Sequence, residues 1–247
     1  GFEQPTQGFV GINNNRVNTV PPDKRDIGMV FQDFALFPHK TVAQNIGYGL
    51  QVRGYDSDRI DDRVNEMLEL VELPKTRDRM PDQLSGGQQQ RIALARAVAP
   101  EPDVLLLDEP LASLDKKLRE TMQVELRRIQ RKLDITTILV THNQKEALTM
   151  SDRIAVMNDG DFEQIGAPED VYSNPATPFV ANFVGTANIF SGTVSAIEDG
   201  LATVDCGQAV MKSRDTEDVA LGDSVSAVIR PEHLSVDTRK TAADGSG

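Results

Sequence analysis

Hydrophobic and polar positions along this chain follow one period, then another, and each change predicts a new kind of element. Phe9-Val10-Gly11-Ile12, the turn Asn13-Asn14-Asn15, and Arg16-Val17 predict a hairpin. Pro21-Pro22 interrupts it, and the apolar run Ile27-Gly28-Met29-Val30-Phe31 predicts a buried strand ending at Gln32. From Thr41 the period becomes helical. Thr41-Val42-Ala43-Gln44 has the form of a capping box, and Ile60, Val64, Met67, Leu68 and Val71 fall on one helical face. Residues from about 38 to 95 are therefore expected to form an all-helical insertion between strands.

After Gly87 a helix is expected through Ile92, Leu94 and Ala95 until Pro100 and Pro102 stop it. Val104 to Leu107 is a short continuous apolar run, which predicts a parallel strand covered on both faces. Leu118, Met122, Leu126, Ile129 and Leu133 stripe a further helix, and Thr136 to Val140 predicts another buried strand. Strand, helix and strand at this spacing imply a parallel sheet. Ile154 to Met157, then Asn158-Asp159-Gly160, then Phe162 to Ile165 predicts a closing hairpin.

Beyond about residue 185 the texture changes. Val225, Ala227 and Ile229 alternate with Ser224, Ser226 and Val228, and Gly192, Gly200, Gly207 and Gly222 punctuate the segments. That is the pattern of a small β-barrel, incomplete before the chain ends. The expected class is α/β: a parallel sheet core with an antiparallel β part and a helical insertion in 1–184, then the incomplete β-barrel in 185–247. Both ends read as cut, as of an internal fragment: Gly1 enters at a turn, and Thr241 to Gly247 is small and polar.

Charge and cysteine content narrow the function. A net charge of −12 argues against nucleic acid, whose phosphate backbone wants a basic face. Cys206, the single cysteine, can form no internal disulfide, which favours a reducing compartment. No apolar run approaches the ~20 residues needed to cross a bilayer.

Two segments carry most of the chemistry. In Leu84-Ser85-Gly86-Gly87-Gln88-Gln89-Gln90-Arg91, Ser85 and two glycines fall at a helix N-terminus. Unpaired N–H groups and the helix dipole there favour an anion, and glycine lets a phosphate oxygen come close. An ordinary helix cap is the plainer use of the same residues. In Val104-Leu105-Leu106-Leu107-Asp108-Glu109, two carboxylates end an apolar strand at the carboxyl edge of the sheet, where α/β folds bind ligands. Asp108 suits Mg²⁺, a hard cation, and Glu109 suits a general base beside a water; the plainer use is to cap the next helix. Gln32 ends its strand with an amide that could reach metal or water, and His142 follows the strand ending at Thr141.

This ordered set resembles the nucleotide-binding subunits of ABC transporters over roughly residues 1 to 184. The resemblance places Gln32 on the Q-loop, Leu84 to Gln88 on the signature, Asp108 and Glu109 on Walker B, Ser113-Leu114-Asp115 on the D-loop and His142 on the switch histidine. It implies that Asp115 and Ser85 to Gln88 contact nucleotide, that Gln32 and Asp108 serve the metal, and that His142 addresses the γ-phosphate of ATP with Mg²⁺ as cofactor. Phe34-Ala35-Leu36-Phe37-Pro38-His39, Gln164-Ile165-Gly166-Ala167-Pro168 and Phe179-Val180-Ala181-Asn182-Phe183 resemble importers with a C-terminal TOBE-type β-domain, as does Ile229-Arg230-Pro231-Glu232. Among these the spermidine/putrescine type looks nearest, with iron, phosphonate, sulfate and sugar importers beside it.

The implied partners are a second ATPase subunit, a transmembrane permease and, indirectly, an extracellular or periplasmic solute-binding protein, at the cytoplasmic face of the membrane. Two features depart from the family. The sequence holds no Gly-x-x-x-x-Gly-Lys-Ser/Thr loop, which with the adenine-stacking aromatic is expected upstream of Gly1, and Asn143 stands where the family usually has Asp. A non-catalytic regulatory module is the alternative reading. Glu109 and His142 speak against it, since a retired site needs no base.

Overall fold

The computed structural model describes residues 3–207, 209–213 and 219–233, so the expectations for both chain ends lie outside the described residues in part or whole. Two compact units divide the chain, Gly1–Met150 and Ser151–Gly247.

The first unit opens with the expected hairpin, β1 (Gly11–Ile12) and β2 (Asn15–Arg16), whose turn residues Asn13 and Asn14 both take positive φ. Then come β3 (Ile27–Val30), α1 (Val42–Val52), α2 (Ser57–Leu70) and α3 (Gly86–Val98). β4 (Val104–Asp108), α4 (Lys116–Leu133), β5 (Thr136–Val140) and α5 (Gln144–Met150) complete it. Local chemistry sets the helix starts: Thr41 and Gln44 make the capping box of α1, and Asp56 caps α2 by accepting from the Arg59 amide. Val64, Met67 and Leu68 of α2 join Ile46 and Leu50 of α1 and Ile92 and Leu94 of α3 in one buried cluster.

β3, β4 and β5 form a parallel sheet in that order, with Val30 opposite Leu107 and Asp108 opposite Val140. Leu105 and Leu107 are buried. The other face is not covered as expected: Ile138 and Val140 are 53% and 56% exposed. A parallel strand is buried on both faces only when helices flank both, and the helices of this unit pack on one side of β4 and β5.

The second unit begins with the hairpin β6 (Ile154–Asn158) and β7 (Asp161–Gly166), joined through Asp159 and Gly160, both at positive φ. The short helices α6 (Pro168–Ser173) and α7 (Pro178–Phe183) follow. β8 (Asn188–Glu198), β9 (Leu201–Asp205), β10 (Val210–Ser213) and β11 (Ser224–Ile229) form an antiparallel sheet in the order β10-β9-β8-β11. This is the strand-rich tail read from the alternation.

The second compact unit takes in the hairpin and the short helices together with the strand-rich tail expected from residue 185. Arg230, just past β11, ties them. Its guanidinium donates to the carbonyls of Ala181 and Tyr172, each at 2.8 Å, and lies over the Tyr172 ring. The helices after the hairpin and the β-sheet are thus fastened into one body.

Candidate functional site

Three strand ends and one strained residue build the first part of the site. β4 presents Asp108 as its last residue, half exposed, and the chain then turns at Glu109. Glu109 adopts φ 44°, a left-handed value that a residue with a Cβ takes only when its surroundings compel it. The compulsion is visible: its amide donates to Val140 O at 2.9 Å across to β5, and its carbonyl accepts from the Ala112 amide. The turn carries the Glu109 side chain toward the end of β5, where Oε1 lies 3.0 Å from His142 Nδ1. His142 is 73% exposed at its side chain and Glu109 29%, so the pair faces solvent at the rim of the sheet.

The turn holding His142 is fixed from behind. Glu146, buried on α5, accepts a 2.7 Å bond from the Thr141 hydroxyl, whose oxygen accepts in turn from the Asn143 amide. Asn143 accepts from the Lys145 and Glu146 amides and so caps α5, the task expected of Asp at this position. Lys145 reaches back to Glu120 of α4, and this hydrogen bond holds the Glu120 carboxyl below its ordinary pKa.

Gln32 follows β3 by two residues and lies in the turn that leaves its carboxyl end, past the last paired residues Val30 and Leu107, so the structure ends β3 before Gln32 rather than at it. Its side chain is exposed. Phe34, Leu36 and Phe37 behind it have separate fates. Phe34 joins the core and Leu36 packs partly against it, while the half-buried Phe37 ring lies 4.7 Å from Tyr48.

A second group forms around the start of α3. Ser85 is its N-cap: Oγ accepts from the Gln88 amide while Gln88 Oε1 accepts from the Ser85 amide, a complete capping box. The plain cap reading is therefore true of Ser85 and Gln88, and it leaves the Ser85 O–H to donate elsewhere. Gly86 and Gly87 lie against the segment that includes Asp115. A Cβ on Gly86 would stand 3.4 Å from Leu114, and one on Gly87 3.1 Å from Leu118. Asp115 itself caps α4 by accepting from the Leu118 amide. Arg119 pins the preceding turn through the carbonyls of Leu111 and Leu114. Among the described residues no hydrogen bond or ion pair joins Ser85 to Gln88 with the carboxylate edge.

The candidates thus fall into two groups. Gln32, Asp108, Glu109 and His142 share the carboxyl edge of β3, β4 and β5; Ser85, Gly86, Gly87, Gln88 and Asp115 share the α3–α4 corner. Three contributors escape a reading of sequence alone: Arg119, the Thr141–Glu146 bond and Arg96, which donates to the carbonyls of Phe34 and Ala35 just after Gln32. Arg96 left a signal, as the single charge inside Ile92-Ala93-Leu94-Ala95-Arg96-Ala97-Val98. A hydroxyl and a carboxylate five residues apart left none.

A parallel-sheet edge bearing Asp-Glu and His, with a glycine-opened helix carrying Ser-Gly-Gly-Gln, is the arrangement expected of the ATP-binding cassette class. The chain belongs to the ABC transporter family, whose domain description matches residues 1–112. It is 52% identical over 236 residues to the spermidine/putrescine import ATP-binding protein PotA of Thermobifida fusca, covering 95% of this chain and 61% of that protein. PotA of Pseudomonas fluorescens is 48% identical over 252 residues, covering 100% of this chain and 67% of that one. The chain spans about three fifths of the length of the first two such relatives. Among solved structures, a dimeric post-hydrolysis state of the ATP-binding cassette MJ0796 bound to ADP and Pi aligns with TM-score 0.57 and 33% identity. That alignment covers 68% of this chain and 76% of that one.

Proposed function

We propose that this chain forms part of the ATP-hydrolysing motor subunit of a polyamine importer, working as a dimer at the cytoplasmic face of the membrane. The observation that carries the reading is the 3.0 Å contact between Glu109 and His142, made at the sheet edge by a residue in strained backbone. Glu109 acts as general base on the water that attacks the γ-phosphate. His142 orients that carboxylate and reaches the γ-phosphate from its exposed ring. Gln32, at the carboxyl end of the adjacent strand, hydrogen-bonds the same water or the metal.

The donors fit Mg²⁺. Asp108 at the end of β4 and the Gln32 amide offer hard oxygen, and Mg²⁺ takes its remaining ligands from substrate phosphates and water. Bound there, Mg²⁺ would neutralise charge on the β- and γ-phosphates.

Ser85, Gly86, Gly87, Gln88 and Asp115 serve the nucleotide held by a second copy. The solved relative named as a dimeric cassette with ADP and Pi supports this. The relatives' name, an import ATP-binding protein, supports partnership with a transmembrane permease and, beyond it, a solute-binding protein. Polyamine stands ahead of iron, phosphonate, sulfate or sugar because relatives at 48–52% identity carry the spermidine/putrescine name.

The test joins 1–247 behind a segment bearing a Gly-x-x-x-x-Gly-Lys-Ser/Thr loop. The fusion should turn over ATP on the order of 1 s⁻¹, while 1–247 alone releases no Mg²⁺-dependent phosphate. Glu109→Gln in the fusion should lower turnover by about 10²–10⁴ and accumulate an ATP-bound dimer on size exclusion. A silent fusion refutes the ATPase reading; Glu109→Gln at the unmutated rate removes Glu109 from the base role.

A further inference from the structure

Gln32 lies on a segment that α3 holds at two places. Before it, a Cβ on Gly28 would stand 2.5 Å from Ala97 O, so the backbones of β3 and α3 touch with no side chain between them. After it, Arg96 of the same helix donates from Nη1 to Ala35 O at 2.7 Å and from Nη2 to Phe34 O at 3.0 Å.

Those two acceptors are unusual. Phe34 and Ala35 take φ 62° and 45°, successive left-handed residues without a glycine, and such strain persists only where surrounding structure over-determines it. The Phe34 ring is anchored in the core. The guanidinium lies 5.2 Å over the Phe37 ring, and burial lowers its pKa, though an arginine stays charged near neutral pH. A planar fork can answer two successive carbonyls at once, whereas an ammonium offers a point charge.

We propose that Arg96 is a positioning residue for Gln32: it locks the Phe34-Ala35 turn left-handed, so that the Gln32 amide keeps its place at the carboxyl edge and moves with the helix that Ser85 begins. From Gly86 to Arg96 α3 rises about 15 Å as a rigid rod, so displacement of its glycine end is felt at the turn. The positioning role rests on the nucleotide reading of the carboxylate edge.

Two measurements decide it. In 1–247 the Phe34 amide donates to Phe31 O inside the turn, while the Arg59 amide donates to Asp56 Oδ1 at the start of α2 and serves as internal control. Hydrogen exchange at Phe34 should accelerate about tenfold in Arg96→Met and less in Arg96→Lys, with the Arg59 and Gln88 amides nearly unchanged. Unaltered exchange at Phe34 overturns the lock. Equal acceleration at all three overturns it too, since Arg96 would then be general packing. If Arg96→Met does not fold, Arg96→Lys carries the same comparison.

In the loop-bearing fusion, Arg96→Lys should lower kcat while ATP KM stays within about twofold, and should cost nothing further in a Gln32→Ala background. Losses that multiply in the double variant overturn the positioning role. A fusion inactive before any substitution refutes the ATPase reading instead, and the exchange result alone then decides the lock.

Discussion

Gly86→Ala separates the two uses of the α3 start, an ordinary helix cap and a phosphate contact. The glycine is exposed, its φ is not positive, and an added Cβ would meet only Leu114 Cδ2 at 3.4 Å, an ordinary van der Waals distance. Nothing in the folded state therefore opposes alanine. The substitution restricts the unfolded chain, which stabilises a compatible site by about 0.4–1 kcal/mol. For a chain of this size that raises the melting temperature by roughly 1–4 °C. Differential scanning calorimetry of 1–247 reads this directly.

Function should move the other way. A methyl at the helix N-terminus stands where a phosphate oxygen must approach the backbone N–H groups, so the loop-bearing fusion should lose ATP-driven dimer formation and most of its turnover. A fall in melting temperature would refute the local geometry. A protein both more stable and fully active would refute the phosphate contact and leave Ser85 to Gln88 as a cap alone.

Other outcomes follow from the same structure. Gly28→Ala drives a Cβ into Ala97 O at 2.5 Å, a backbone atom that cannot swing away, and should cost about 1–3 kcal/mol by thermal or urea unfolding; an unchanged midpoint would show that β3 and α3 do not touch. Thr141→Val leaves the buried Glu146 carboxylate without its hydroxyl donor and should cost about 1–3 kcal/mol, part of which Glu146→Leu recovers in the double variant; no recovery means the two are not coupled. Tyr172 donates to Glu232, and that bond holds the carboxyl low and pushes the phenol up. The depressed Glu232 contributes stability above the ordinary carboxylate range and loses it as pH falls through its lowered pKa; the raised Tyr172 contributes below the ordinary phenol range and loses it as pH rises through its raised pKa. The melting difference between the parent chain and Tyr172→Phe should thus be present at neutral pH and shrink toward both extremes, and a difference independent of pH would exclude the bond.

What the sequence determined alone is whatever rests on short-range physics. The Asn13-Asn14 turn, the Thr41–Gln44 and Ser85–Gln88 capping boxes and the apolar stripe of α2 are each settled within a few residues by backbone conformation and local hydrogen bonding. The end of β4 at Asp108 was visible in the same way, as the first polar residue after an apolar run. Tertiary structure alone decided how these residues are held. The left-handed backbone at Glu109, Phe34 and Ala35 is favoured by nothing in their side chains; it exists because Val140 O binds the Glu109 amide and Arg96, distant in sequence, answers the carbonyls of the pair. The exposed face of β5 was hidden for the same reason. It depends on which distant elements come to pack against the strand, a sum over long-range contacts that the period of its own residues does not contain.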